Sequence, residues 1–335
     1  MTRFCRILSV CLALGAAAHC AGGTISLLNV SYDPTREFYS EVNAAFSKEW
    51  KARTGDDLKI GISNGGSAKQ ARDVIAGSEA DVVTLALAWD IDALHEHGQL
   101  LPADWQQRLP NNSCPYTSTI VFLTRHDGKI KVKDWEDLIR PGISVVAPNP
   151  KTSGGARWIY LAAYGDALKK NHGDAAAARR FVEQLYHNIP VMDEGARGSV
   201  TTFTQREIGD VLISWENEAW LVMEKIGRGR FDIIYPPRSI LAEPPVAVVD
   251  KYAKAHGTEA VAEAYLRFLY TPAGQELAAK HHFRPELDAV ARQHAADFPP
   301  MELFTLREVF GSWKEAQKIH FDEGGIFDQI SRSRR

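Results

Sequence analysis

The chain has 335 residues, 45% hydrophobic and 24% charged, with a formal net charge of −3 and no run of basic residues. That balance excludes nucleic acid as a partner, because a phosphate backbone calls for clustered Lys and Arg, and any anion the chain binds has to be held by local dipoles. The length exceeds what one hydrophobic core usually supports, so two domains are expected.

Residues 1–23 stand apart. Arg3 and Arg6 precede an apolar run at 7–18, and small residues follow as far as Gly23, the layout of a secretory signal peptide. Cleavage is expected between Ala18 and Gly23. A lipoprotein signal through Cys20 fits less well, because His19 stands where a small residue is wanted. The run is too short to span a bilayer, and no later segment reaches the ~18 unbroken apolar residues that would. Of the four cysteines, Cys5 and Cys11 leave with the leader, Cys20 lies at the cut and Cys114 remains, so no disulfide framework is expected.

From Thr24 onward short β-rich runs alternate with amphipathic helices, which predicts α/β layers built on mainly parallel sheets. Residues 25–30 read as a strand. Asp33 and Pro34 read as an N-cap and a first helical residue, followed by the stripe Phe38, Val42, Ala45, Phe46 and Trp50 of a helix that Gly55 stops. A strand at 58–62, a helix at 67–76 and a buried strand at 81–88 come next. Strands at 118–125 and 143–147, helices at 157–169 and 175–187, and a strand at 211–215 running straight into a helix at 216–226 follow. After a strand at 231–235, residues 240–249 read as a return strand, and the remainder is mostly helical. The pattern implies one lobe of 24–118 plus 240–335 and a second of 119–239, with two crossing strands as the hinge.

Four segments bring glycine or a small hydroxyl residue to a helix start: 31–36, 64–67, 152–157 and 194–199. The first turn of a helix has unpaired N–H groups and the positive end of the dipole, so each is a potential oxyanion cradle. Singly, each reads more readily as an ordinary cap or turn. Divided between two lobes, the four can converge on one cleft, with glycine letting a ligand approach the backbone. Trp215 ends a strand directly before a helix, a place from which an indole N–H can reach that cleft. An enzyme alternative exists: Gly61-Ile62-Ser63-Asn64-Gly65 fits the G-x-S-x-G elbow of a serine hydrolase, with Ser63 as nucleophile. His95 with His97 and His281 with His282 lack ligand spacing, and neither a Walker loop nor a dinucleotide fingerprint is present, so no metal or cofactor is expected.

At these segments the sequence resembles the periplasmic sulfate-binding proteins of ABC importers, relatives of the thiosulfate-binding proteins. The resemblance runs from Leu27 to Ile330 and is most specific at 29–36, 79–88, 115–123, 149–158 (Asn-Pro-Lys-Thr-Ser-Gly-Gly-Ala-Arg-Trp), 195–199 and 215–218. It implies a type II periplasmic binding protein fold whose two lobes close over a dehydrated sulfate held only by uncharged donors. Carried onto this chain, the donors are the Asp33 amide, the Ser67 amide and hydroxyl, the Gly154 and Gly155 amides with Ser153 beside them, the Ala196 amide and the Trp215 indole. The resemblance further implies a periplasmic monomer that is a receptor and not an enzyme, and that serves the membrane subunits of an importer. Where the family usually has Gln-Ser-His before the paired glycines, this chain has Ile62-Ser63-Asn64, and Gly61 is not a family feature. A cage made only of donors selects sulfate over phosphate, since phosphate retains a proton that would find no acceptor. On this reading the Asp33 carboxylate caps its helix and stays out of the cleft.

Overall fold

A computed structural model describes residues 23–333; the leader read at 1–23 lies, Gly23 excepted, outside them. The first sheet has the order β11-β3-β1-β2. In it β1 (Thr24–Tyr32) pairs in parallel with both β2 (Asp57–Gly65) and β3 (Val82–Thr84), and β11 (Val246–Val248) closes the far edge antiparallel. Between β1 and β2 runs α1 (Arg36–Thr54), which buries Phe38, Tyr39, Val42, Phe46 and Trp50 and ends at Gly55 in the left-handed region (φ 85°). That stripe and stop are as the spacing predicts. The start differs: Asp33–Thr35 form a 3-10 turn with Pro34 inside it, and α1 opens only at Arg36. Two more helices, α2 (Ser67–Ile75) and α3 (Ala88–Gly98), follow β2 and β3.

After a one-turn α4 (Pro110–Ser113) and a short β4 (Tyr116–Thr117), the chain passes into a second sheet of order β7-β6-β8-β5-β9. Its strands are β5 (Ile120–Arg125), β6 (Val145–Pro148), β7 (Met192–Asp193), β8 (Val211–Trp215) and β9 (Phe231–Ile234). This sheet is evenly mixed where mainly parallel pairing was expected: β6 runs parallel to β7 and β8, while β5 is antiparallel to β8 and β9. The reason is direction of entry, for β5 starts at the crossing and runs away from it while β8 returns to end at Trp215. Four helices belong here: α5 (Gly154–Lys170), α6 (Ala175–His187), α7 (Ala196–Thr204) and α8 (Glu216–Lys225).

The chain crosses back along β10 (Arg238–Ile240), and the Ser118–Ala242 bridge ties the outward and return passages together through backbone bonds of 2.9 Å each way. The return strand read at 240–249 is broken between β10 and β11, where Pro244 and Pro245 lack the N–H a ladder needs. Helices α9 (Asp250–His256), α10 (Glu259–Phe268) and α11 (Pro272–Lys280) follow, and α10 packs on the first sheet with Val82, Val246 and Tyr265 in one core. Next come β12 (Arg284–Pro285), paired with β4, and α12 (Asp288–Gln293).

A third passage then appears. Strand β13 (Glu302–Phe304) pairs with β10, and α13 (Leu306–Phe310), α14 (Trp313–Ala316) and α15 (Ile326–Ser333) follow, with α14 against α3 and α15 against α6. The sequence reading counted this closing stretch with the first lobe. Its aromatic residues instead find their partners on α5 and α6: Trp313 on Trp158 at 4.7 Å, Phe321 on Tyr160 at 5.1 Å and Phe327 on Tyr186 at 5.3 Å.

His320 is the titratable member of this seam, buried at 3% exposure and bonded through Nδ1 to the Tyr160 hydroxyl at 3.0 Å. Burial pushes its imidazole down to about 4. A histidine whose folded pKa lies below its unfolded value of about 6.5 gives stability that is complete above that value and is lost as the pH falls toward the folded pKa. Melting curves between pH 7 and 4.5 should therefore show His320→Gln losing less stability over this range than the parent, by up to about 3 kcal/mol. Parallel slopes for the two proteins would count against the assignment.

Candidate functional site

The ends of β1 and β2 face the starts of α5 and α7 around a small cavity of about 190 Å³. The first sheet contributes Tyr32, Asp33, Pro34, Gly65, Gly66 and Ser67 to its lining, and the second contributes Ser153, Gly155 and Ala196. Of the seven residues singled out from sequence, Asp33, Ser67, Ser153, Gly155 and Ala196 therefore share one lining. Ser67, Gly154 and Ala196 are the first residues of α2, α5 and α7 respectively, so their amides, with that of Gly155, have no partner within their helices. Three positive helix ends meet at one point.

The remaining two flank the lining. A Cβ on Gly154 would stand 3.0 Å from Ala86, Leu87 and Ser67 of the other sheet. Trp215 is fully buried, its indole Nε1 has no hydrogen-bond partner, and it lies 2.6 Å from where a Cβ of Gly155 would be. A buried N–H left unpaired is costly, of order 1–3 kcal/mol, and this one stands beside the cavity wall.

Two expected roles are corrected. The Ser67 hydroxyl donates to Asp90 Oδ2 at 2.5 Å and accepts from the Ala86 N–H at 3.0 Å. Asp90 is 3% exposed, and a buried carboxylate draws in any available donor, so Ser67 keeps only its amide for the cavity. Ser153 shows the reverse: its Oγ accepts from Ala156 N at 3.3 Å as the N-cap of α5, which leaves its hydroxyl hydrogen free. The Asp33 carboxylate makes no cap; it lies 3.5 Å from Arg36 and presses with Oδ2 on Gly195 of the opposite lobe. Burial raises this carboxyl above its usual range, against the pull of Arg36 and Arg197.

Among the described residues no Lys, Arg or His lines the cavity. The nearby cations are bound to carboxylates. Arg157 stands 3.6 Å from Asp90, and Arg197 forks onto Glu37 of α1 at 3.0 and 2.9 Å while reaching Glu218 at 3.0 Å. Burial alone would lower the Arg197 pKa, but Glu37 and Glu218 raise it well above the ordinary guanidinium value. Both arginines come from one lobe and Asp90 and Glu37 from the other, so these pairs also tie the lobes shut, as do Asn217 Nδ2 donating to Pro34 O (2.7 Å) and Trp158 Nε1 donating to Ala86 O (2.8 Å). Sequence reading missed Asp90, Glu37 and Asn217, none of which sits in a glycine-rich segment.

The glycines act differently from the expectation. Gly66 (φ −62°) and Gly195 (φ −152°) adopt ordinary backbone angles, so conformation does not demand them. A Cβ on Gly66 would lie 2.5 Å from the Thr152 carbonyl, and one on Gly195 would meet the Asp33 carboxylate. Glycine here admits the facing lobe.

Ser63 lies inside β2 without a positive φ, and its Oγ accepts from Gln70 Nε2 at 3.1 Å. A nucleophile elbow needs a strained strand-to-helix turn and a histidine partner. Neither is present among the contacts described for Ser63, so the geometry does not favour the hydrolase alternative.

The chain matches the profile of the bacterial extracellular solute-binding proteins over residues 27–284. It belongs to that family. It is 57% identical to a sulfate-binding protein of Escherichia coli (strain K12) over 95% of this chain and 96% of that one. It is 50% identical to a thiosulfate-binding protein of Pseudomonas aeruginosa over 97% and 96%. A solved structure of a sulfate-binding protein from Mycobacterium tuberculosis superposes with a TM-score of 0.80 at 32% identity, covering 89% of this chain and 100% of that one. The fold is thus the two-lobed one of periplasmic binding proteins. Among the described residues no helix is long and apolar enough to cross a membrane.

Because Thr152 O is backbone and cannot swing aside, Gly66→Ala should prevent full closure. The expected loss of anion affinity is roughly two orders of magnitude, equivalent to about two charge-assisted hydrogen bonds, with the melting temperature of the ligand-free protein nearly unchanged. Titration calorimetry and small-angle scattering, with and without ligand, check both halves; an unaltered affinity would refute the steric account.

Proposed function

We propose that the protein is a periplasmic receptor that captures sulfate between its lobes and delivers it to the membrane subunits of an ABC importer. It works as a monomer and without metal or cofactor. One lobe comprises 24–118 with the chain from 240 to β13, the other 119–239 with the closing stretch. The donors are the amides of Asp33, Ser67, Gly154, Gly155 and Ala196, the Ser153 hydroxyl and the Trp215 indole. The observation that carries this reading is the unpaired, buried indole N–H of Trp215 beside a small cavity lined by residues at helix starts and, among the described residues, by no cation. A tetrahedral dianion supplies the acceptors such groups lack, and each bond to a charged partner is worth about 1.5–3 kcal/mol. Sulfate brings no proton to a cage of donors, which is the basis for rejecting phosphate. A second reading, thiosulfate, has support in the 50% identity to a protein of that name.

A thermal-shift panel of sulfate, thiosulfate, phosphate and molybdate separates these ligands, because a ligand at about 100 times its dissociation constant adds about 2.7 kcal/mol. Sulfate should stabilise strongly and phosphate not at all; the reverse order would overturn the proposal. Trp215→Phe should weaken sulfate binding at least 10-fold. Asp33→Asn keeps the amide and removes a negative charge from the cavity lining, so sulfate affinity should stay level or rise a few-fold. For the same reason the parent should bind sulfate somewhat more tightly as the pH falls through the raised Asp33 pKa. A loss of sulfate binding in Asp33→Asn would mean that the carboxylate, not the amide, serves the ligand.

A further inference from the structure

We infer that Asn64 is a positioning residue for the anion: its side-chain amide donates to the carbonyl at the back of the peptide group whose N–H, that of Asp33, faces the cavity. This rests on the sulfate reading of the site and deepens it.

Strand register puts Asn64 in place. Strands β1 and β2 run side by side with Ser31 opposite Asn64 and Tyr32 opposite Gly65, so the last turn-ward side chain of β2 lies against the final peptide of β1. From there Asn64 Nδ2 donates to Tyr32 O at 3.3 Å. That carbonyl and the Asp33 N–H are two ends of one planar amide, and a donor at the oxygen draws charge from the nitrogen end and makes its hydrogen a better donor.

The other helix-start amides obtain the same effect from backbone. Behind Ser67, Gly154 and Ala196 stand Gly66 O, Ser153 O and Gly195 O, which accept from Gln70 N, Arg157 N and Ser199 N in the first turns of α2, α5 and α7. Asp33 opens only a three-residue turn. Behind it two side chains donate, Asn64 and Thr35, the latter through Oγ1 at 2.6 Å. Thr35 in turn sits 2.6 Å from Ser31 Oγ, which sits 2.7 Å from Thr84 Oγ1. A line of buried, uncharged hydroxyls therefore ends on the same carbonyl.

The orientation of the Asn64 amide agrees with this role. Its Oδ1 is buried and has no partner. Rotating the amide end for end would set Oδ1 against Tyr32 O, acceptor against acceptor, so the group accepts an unpaired oxygen in exchange for the donation. An asparagine amide does not titrate, and the support it gives is the same at every pH. Histidine in this place would donate in a way that depends on tautomer and protonation.

The test compares the parent with Asn64→Leu and Asn64→His. Sulfate dissociation constants are measured by calorimetry at pH 6 and 8, and the Asp33, Gly154 and Ala196 amides are followed by ¹H–¹⁵N NMR with and without sulfate. Asn64→Leu should bind sulfate about 3- to 10-fold more weakly, with the Asp33 amide proton moving upfield and those of Gly154 and Ala196 staying put. Asn64→His should bind several-fold more tightly at pH 6 than at pH 8, whereas the parent changes little across that interval. Equal affinities and an unmoved Asp33 amide in Asn64→Leu, or a pH-flat Asn64→His, would overturn the inference. Should the parent itself fail to bind sulfate, the functional reading falls, while the Asp33 amide shift between ligand-free parent and Asn64→Leu still decides the role of Asn64.

Discussion

Two stretches of backbone can meet across the cleft only where no β-carbon stands between them, and the rest of the site depends on that contact. Gly66 lies against the Thr152 carbonyl, Gly195 against Asp33, and Gly154 against Ala86, Leu87 and Ser67. With the lobes pressed this closely, amides from three helix starts converge on one space. Excluding water strengthens every dipole directed at the centre. The affinity of a receptor of this kind is governed as much by how nearly two surfaces can touch as by the groups that touch the guest.

Electrostatic balance follows from the same closeness. A dianion taken out of water would ordinarily demand a cation, yet Arg157 and Arg197 are turned to Asp90, Glu37 and Glu218. Their charges are spent in joining the lobes. On the proposed reading, the polarity that faces the cavity comes from peptide groups whose far ends are already bonded, an arrangement that costs no reorganisation when the ligand arrives. Ser67 illustrates how the two systems interlock, with its amide toward the cavity and its hydroxyl given to Asp90.

Much of this was legible in the sequence because it is local. Glycine or serine ahead of a helical stripe marks a helix start, and the segments at 33, 67, 153–155 and 196 are found around one cavity or at its wall. The stripe of α1 and its Gly55 stop follow from 3.6-residue spacing alone. What escaped depends on partners far along the chain. The Ser67 hydroxyl goes to a carboxylate 23 residues away, the Asp33 carboxylate meets a glycine of the other lobe, and the aromatic residues after Phe304 dock on helices some 150 positions earlier. Spacing shows that Gly66 precedes a helix; it cannot show that a carbonyl from residue 152 will stand where its side chain would have been.

The third passage at β13 has a mechanical consequence. Thr119 Oγ1 bonds to Ile240 O and Leu241 N to Phe304 O, so all three connecting segments lie side by side as one narrow ribbon. A ribbon bends most easily about the line across its width, so the two bodies it joins are guided toward swinging like a book on its spine.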